Sequence, residues 1–245
     1  MVKFGSKVVY PTDPEDIRGN VNTVGNAELA VRLGSIATFD RRGNILWMDD
    51  FEGVFLNWGY SAVGIGAAVS LSTSQALTGS QSCKLTTSTI PDIPIIIYKR
   101  LAYPILGRMG FEIAFTYSAD IVHWRVSHVL YDGTSIHKPG IIYDKGLNAI
   151  YYYDNEGDTV KIADVPTIPS YDYLFNKVKL VVDFAKGKYV KLIFNDIEYP
   201  LTDIAYQKVT DDTLAHMYPN FSVWDPSVNN TNVYVDNVIF TQNEP

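Results

Sequence analysis

The sequence predicts an all-β, antiparallel fold, and three observations carry that prediction. From Ile45 onward, short runs of β-branched and aromatic residues alternate with clusters of Gly, Asn, Asp and Pro. Aromatic residues are abundant, with 17 Tyr, 11 Phe and 4 Trp, and Tyr suits the half-buried surface of a sheet. No helix of useful length interrupts the runs, which argues against parallel βαβ units and for a sandwich or barrel.

The chain divides near residue 43. Residues 1–43 begin with "YPTDPEDIRGNVNTVGN", whose Pro, Asp, Asn and Gly content reads as an extended arm. "NAELAVRLGS" follows as one short helix, capped by Asn26 and stopped by Gly34. "FDRRGN" is a turn. Residues 44–245 form the β domain. Strands are expected at 45–52, 67–73, 80–88, 93–100, 110–118, 123–131, 139–144, 147–154, 159–164, 175–185, 188–195, 197–201, 219–224 and 232–241. Two hairpins are legible in detail. "LNAIYYYDNEGDTVKIADV" turns at "DNEGD", with Gly157 in the left-handed position. In "KVKLVVDFAKGKYVKLIFNDIEYPL", Val178, Leu180 and Val182 alternate with Lys177, Lys179 and Val181 before the "AKG" turn, which gives a meander with one buried face.

Composition excludes several functions. Hydrophobic residues make up 47% and charged residues 19%, a balance that buries a core. The net charge of −7 and the lack of clustered Lys and Arg argue against nucleic-acid binding. A lone cysteine, Cys83, permits no internal disulfide, and its strand position points inward as a small apolar residue. No apolar leader and no membrane-length stretch are visible, so the expectation is synthesis in the cytoplasm with no membrane partner.

Three segments carry a resemblance. "DDFEG...W" at 49–58, "ALTGSQSCKLTTS" at 76–88 and "VYVDNVIF" at 233–240 resemble jelly-roll carbohydrate-binding modules, and the 178–199 hairpin is similar to the concanavalin A-like lectin and glucanase superfamily. The resemblance covers roughly residues 45–241 and implies a jelly-roll β-sandwich. Combined with the arm, it also resembles bacteriophage virion proteins that decorate heads, form head fibres or associate with tails. That implies a homo-oligomer or virion partner docking through residues 1–43, and a non-catalytic role. A free-standing polysaccharide-binding module is the alternative, and a glycoside hydrolase the remote one.

The chemistry-bearing residues fit these readings unequally. Retaining glucanases of this superfamily carry "ExDxxE", which is absent here. In "DDFE" strand alternation puts Asp50 and Glu52 on one face without a second acidic strand. No catalytic residue is assigned. His123, His128, His137 and His216 match no zinc spacing. The resemblance implies a structural Ca²⁺ held by Glu52, Asp236 and the Lys84 carbonyl. On strand alternation Asp236 shares a face with Tyr234, Val238 and Phe240, where a carboxylate needs a cation or strong hydrogen-bond donors. Backbone or Tyr donors without metal are the other solution. Trp58, Trp124, Tyr131, Tyr152 and Trp224 are the aromatic candidates for stacking on a glycan, each also a candidate for core packing.

Overall fold

The computed structural model describes residues 43–117, 122–165 and 173–245. The expected arm and short helix of 1–43 lie outside these residues except for Gly43. The described chain forms seventeen strands in two antiparallel sheets, a jelly-roll β-sandwich. They are β1 (Asn44–Asp49), β2 (Gly59–Ser61), β3 (Ala68–Ser72), β4 (Ser82–Thr86), β5 (Ile95–Tyr98), β6 (Arg108–Tyr117), β7 (His123–Tyr131), β8 (Ser135–His137), β9 (Gly140–Asp144), β10 (Ala149–Tyr153), β11 (Thr159–Asp164), β12 (Asn176–Asp183), β13 (Lys188–Phe194), β14 (Ile197–Pro200), β15 (Lys208–Thr210), β16 (His216–Trp224) and β17 (Asn232–Gln242).

One sheet runs β14-β13-β12-β6-β17-β4-β3, with β1 also on β17. The other runs β11-β10-β9-β7-β16-β5-β2, with β8 on β7 and β15 on β8. The chain changes sheet at β1 to β2, β2 to β3, β4 to β5, β5 to β6, β6 to β7, β11 to β12, β14 to β15 and β16 to β17, so strands far apart in sequence become neighbours. The turns follow the sequence. Gly157 and Gly187 take positive φ in the two expected hairpins, where a side chain would be strained.

The core lies between the sheets. Phe111, Ile113 and Phe115 of β6 and Val178, Leu180 and Val182 of β12 face Trp124, Val126 and Leu130 of β7 and Phe221 and Val223 of β16. Cys83 is fully buried among them, and burial pushes its thiol up to about 12, so it is not a nucleophile at neutral pH. The histidine of β7 that faces inward, His128, sits edge-on to Phe111 and Phe184. Its ring nitrogens meet no hydrogen-bond partner among the described residues, and burial pulls its pKa down to about 3.

A buried, unpaired imidazole costs its desolvation without return. His128→Leu is therefore expected to raise stability by about 1–3 kcal/mol in urea unfolding at neutral pH. Because the folded pKa lies below the ordinary 6.5, the unfolded chain binds more protons, and this group removes stability as pH falls from about 6.5 toward 3. The gain in the variant should grow over that interval, and a gain that stays flat or reverses refutes this account.

Candidate functional site

β7 and β16 lie side by side in the middle of the nine-stranded sheet, and alternation turns every second residue outward. Their register sets five outward rungs: His123 opposite Trp224, Arg125 opposite Ser222, Ser127 opposite Asn220, Val129 opposite Tyr218, and Tyr131 opposite His216. The rungs span eight residue steps, or roughly 26 Å of strand. Aromatic pairs stand at both ends. His123 stacks on Trp224 at 5.5 Å, and Tyr131 stacks on His216 at 4.6 Å. Tyr98 of β5 stacks on Tyr218 at 4.7 Å. Gly59 makes this possible, because a Cβ there would lie 2.2 Å from the Tyr98 ring. The middle rungs are polar. Arg125 Nε donates to Ser222 Oγ at 3.2 Å, and Asn220 and Ser127 sit beside it.

A wall rises along one side of these rungs. Ile136 and Lys138 flank a cleft of about 320 Å³ together with Tyr153, Gly157 and Gln207, above a floor that includes Arg125, Ser127, Tyr131, Tyr218 and Asn220. Buried hydrogen bonds fix the wall. His137 joins Asp132 through Nε2 and the Tyr206 hydroxyl through Nδ1, both at 3.0 Å. Burial raises the Asp132 pKa, but hydrogen bonds from His137, Thr134 and Ser135 together outweigh it and hold this carboxyl well below the usual range. From the opposite sheet, the Tyr189 hydroxyl accepts from Gly140 N at 2.9 Å and reaches the carbonyl of Tyr153 at 2.9 Å. It pins β9 to the end of β10.

The aromatic candidates from the sequence divide. Tyr131 is on the cleft floor, and Trp224 is on the end rung. Trp124 is a correction: it is fully buried, packed on Phe115, Tyr143 and Phe194. Trp58 is another. It is buried against Trp47 and Phe51, and its Nε1 donates to Asp49 Oδ2 at 2.9 Å. Tyr152 packs edge-on against Tyr189 from the inner side of β10. Alternation along 123–131 separates two faces but does not say which meets solvent. Nothing local in the sequence marks Tyr98, Arg125, Tyr218 and Asn220, because their strands read simply as β and their partners come from distant segments.

The acidic candidates hold a turn. The expected strand 45–52 ends at Asp49, whose Oδ1 accepts from Phe51 N, and Phe51 takes φ 57. This left-handed residue breaks the alternation assumed for "DDFE". Glu52 reaches the loop after β3, where it accepts from Ser80 N at 2.8 Å, Gln81 N at 2.9 Å and the Ser80 hydroxyl at 2.7 Å. The hydrogen bond from the Ser80 side chain, helped by those two N–H groups against a smaller effect of burial, lowers its pKa. Asp236 meets the same loop, accepting from Leu77 N at 2.8 Å and Thr78 N at 3.1 Å. A bulge with Asn237 at φ 48 separates Asp236 from Val238 and Phe240, so the face-sharing read from simple alternation is also corrected. Val238 and Phe240 enter the core while Asp236 does not follow them. Lys84 pairs with Tyr234 in the β4–β17 ladder. Among the described residues no three His, Cys, Asp or Glu side chains gather as a metal set.

No protein-family model matches the chain, and no curated protein matches it in sequence. Solved structures do resemble it. An endo-β-1,4-glucuronan lyase from the fungus Trichoderma reesei aligns with a TM-score of 0.58 at 13% identity, covering 81% of this chain and 96% of that one. The cellulose-induced protein Cip1 aligns with a TM-score of 0.55 at 16% identity, over 80% and 96% of the two chains. A protein with a galectin-like fold from Bacillus subtilis gives 0.55 at 11% identity, over 82% and 96%. At these identities the likeness establishes the fold.

Burial pushes the Asp236 carboxyl up to about 6 against the pull of its three N–H donors, with the charge of Asp50 adding to the rise. A folded pKa above the ordinary 3.8 means the folded chain binds the extra proton. The stability tied to this group is fully present below about pH 4 and is lost as pH rises through about 6. Asp236→Asn should remove that loss, so that stability rises more steeply with pH between about 4 and 6 than in the wild-type protein, and should speed amide exchange at residues 77–81; an unchanged slope refutes the assignment.

Proposed function

We propose that the chain is a non-catalytic carbohydrate-binding protein whose ligand lies along the rungs of β7 and β16. The observation that carries the reading is the alternation on this floor: aromatic pairs at both ends and hydrogen-bonding side chains between them. A sugar offers an apolar C–H face and a rim of hydroxyls, and such a floor suits both. The similar folds add support, since one belongs to a lyase named for a β-1,4-glucuronan and another is called galectin-like. The non-catalytic part is set against glycoside hydrolysis alone, which uses two carboxyl groups, where the described lining of the cleft has Arg125 and Lys138 as its charged side chains. The virion role and the oligomer rest on residues 1–43, outside the described residues, and deletion of that segment with a readout of assembly tests them separately.

Affinity electrophoresis against a panel of soluble polysaccharides tests the binding reading. At least one chain should retard the protein, and Tyr218→Ala or Tyr131→Ala should weaken that retardation about tenfold or more, equal to about 1.4 kcal/mol. Retardation by no chain, or insensitivity of both variants, overturns it. Shortening of a retained chain by the wild-type protein overturns the non-catalytic part.

The proposal also includes a structural Ca²⁺ at the corner of Glu52, Asp236 and the Lys84 carbonyl. Its support is the burial of Asp236 beside the charge of Asp50, which a cation would relieve. The fit is partial, because both carboxylates already face N–H donors of the 77–81 turn. Chelation should lower Tm and added Ca²⁺ restore it; identical melts in both conditions remove the ion from the proposal.

A further inference from the structure

We infer that the cleft selects a sugar chain bearing carboxylate groups, with Arg125 as the residue that receives the carboxylate. The inference rests on the binding reading above and adds the class of ligand.

The charge pattern is the starting point. The chain as a whole carries −7, yet the charged side chains lining the cleft are Arg125 and Lys138. A concave site of one sign on a body of the other concentrates ligands of the opposite charge. The two cations differ in their surroundings. Lys138 interacts with Asp211 at the rim, and Asp211 also acts on Tyr131. Asp144, one rung away from Arg125, lies 3.6 Å from His123. Arg125 forms no ion pair among the described residues; its one hydrogen bond is from Nε to the neutral Ser222 hydroxyl.

That bond leaves the two terminal nitrogens of the guanidinium as the free end of the fork. Anchoring through Nε fixes the plane of the group, and a fixed fork suits a carboxylate in the two-pronged geometry that Arg favours over Lys. The neighbouring rung supplies neutral donors and acceptors, Ser127 and Asn220, for adjacent hydroxyls. A neutral sugar would leave this half-buried charge without a counter-charge, whereas a carboxylate would supply one.

The test compares a uronate polysaccharide with the same polymer after reduction of its carboxyls to alcohols, using the full chain, by calorimetry or affinity electrophoresis. The wild-type protein should bind the uronate polymer at least about tenfold more tightly, and added salt should narrow the difference. Arg125→Gln should bind both polymers alike, near the wild-type affinity for the reduced one. Arg125→Lys should recover only part of the preference, because it restores charge without the fork, and thermal melts should show both variants folded. Equal wild-type affinity for the two polymers, or a preference that survives in Arg125→Gln, overturns this inference and leaves carbohydrate binding standing. Binding of neither polymer while a neutral chain of the panel is retained also overturns it alone. Binding of no chain at all overturns the broader reading with it.

Discussion

The sandwich depends on how β17 changes partners. On one edge it pairs with β6 along most of its length; on the other it pairs with β4 through Asn232–Val235 and with β1 through Val238–Gln242. The changeover falls at Asp236 and Asn237, where the bulge shifts the inward residues from Val233 and Val235 to Val238 and Phe240. Such a seam leaves backbone groups to be satisfied by something other than a strand. The Asp236 side chain answers part of that need by accepting from Asn237 N at 2.7 Å, and it also holds the loop 77–81. The N–H groups of that loop point to Asp236 on one side and to Glu52 on the other, and the Gln81 amide bridges back to the carbonyls of Phe51 and Gly53. Gly79, at φ 68, brings the loop so close to Glu52 that a Cβ would lie 2.4 Å from its carboxylate. The first strand, the last strand and the loop between β3 and β4 are thus one hydrogen-bonded unit.

Two buried titratable groups pull the stability of this unit and its neighbouring core in opposite directions. His128 is held neutral, and its resistance to protonation removes stability as acidity rises. Asp236 is raised, and its ionisation removes stability as acidity falls. The windows overlap between about pH 4 and 6, so the wild-type curve there records a difference between two effects. A shallow pH dependence is then consistent with two strained ionisations, and only the single variants separate them.

Much of the fold was legible because period-2 alternation is local. The strands 123–131 and 159–164 agree with β7 and β11 to the residue, and the glycine turns fall where the hairpins require them. What escaped was non-local. β8, with Ser135, Ile136 and His137, and β15, with Lys208, Val209 and Thr210, are three-residue strands without an apolar pattern. They exist because each completes the other beside β7, and the Asp132–His137–Tyr206 chain holds them. Ile136 of β8 and the flanking Lys138 and Gln207 line the cleft wall, so the site was harder to read than the sheet beneath it. Trp124 and Arg125 show the same limit on a smaller scale. Alternation places them on opposite faces, but only the second sheet decides that the tryptophan is core and the arginine is floor.

That arrangement also explains why the floor can be polar at its centre. An arginine in the middle strands of a sheet is costly when a second layer covers it. Here the second layer lies on the other face, where Trp124, Val126 and Phe221 absorb the packing. The outward face is free of that demand, and its residues can answer to a ligand. The wall of Ile136, Lys138, Tyr153 and Gln207 then supplies partial enclosure, which strengthens each polar contact to a bound chain without burying Arg125 outright. Division of labour between the two faces of β7 and β16 is what lets one pair of strands serve as both the centre of the core and the floor of the site.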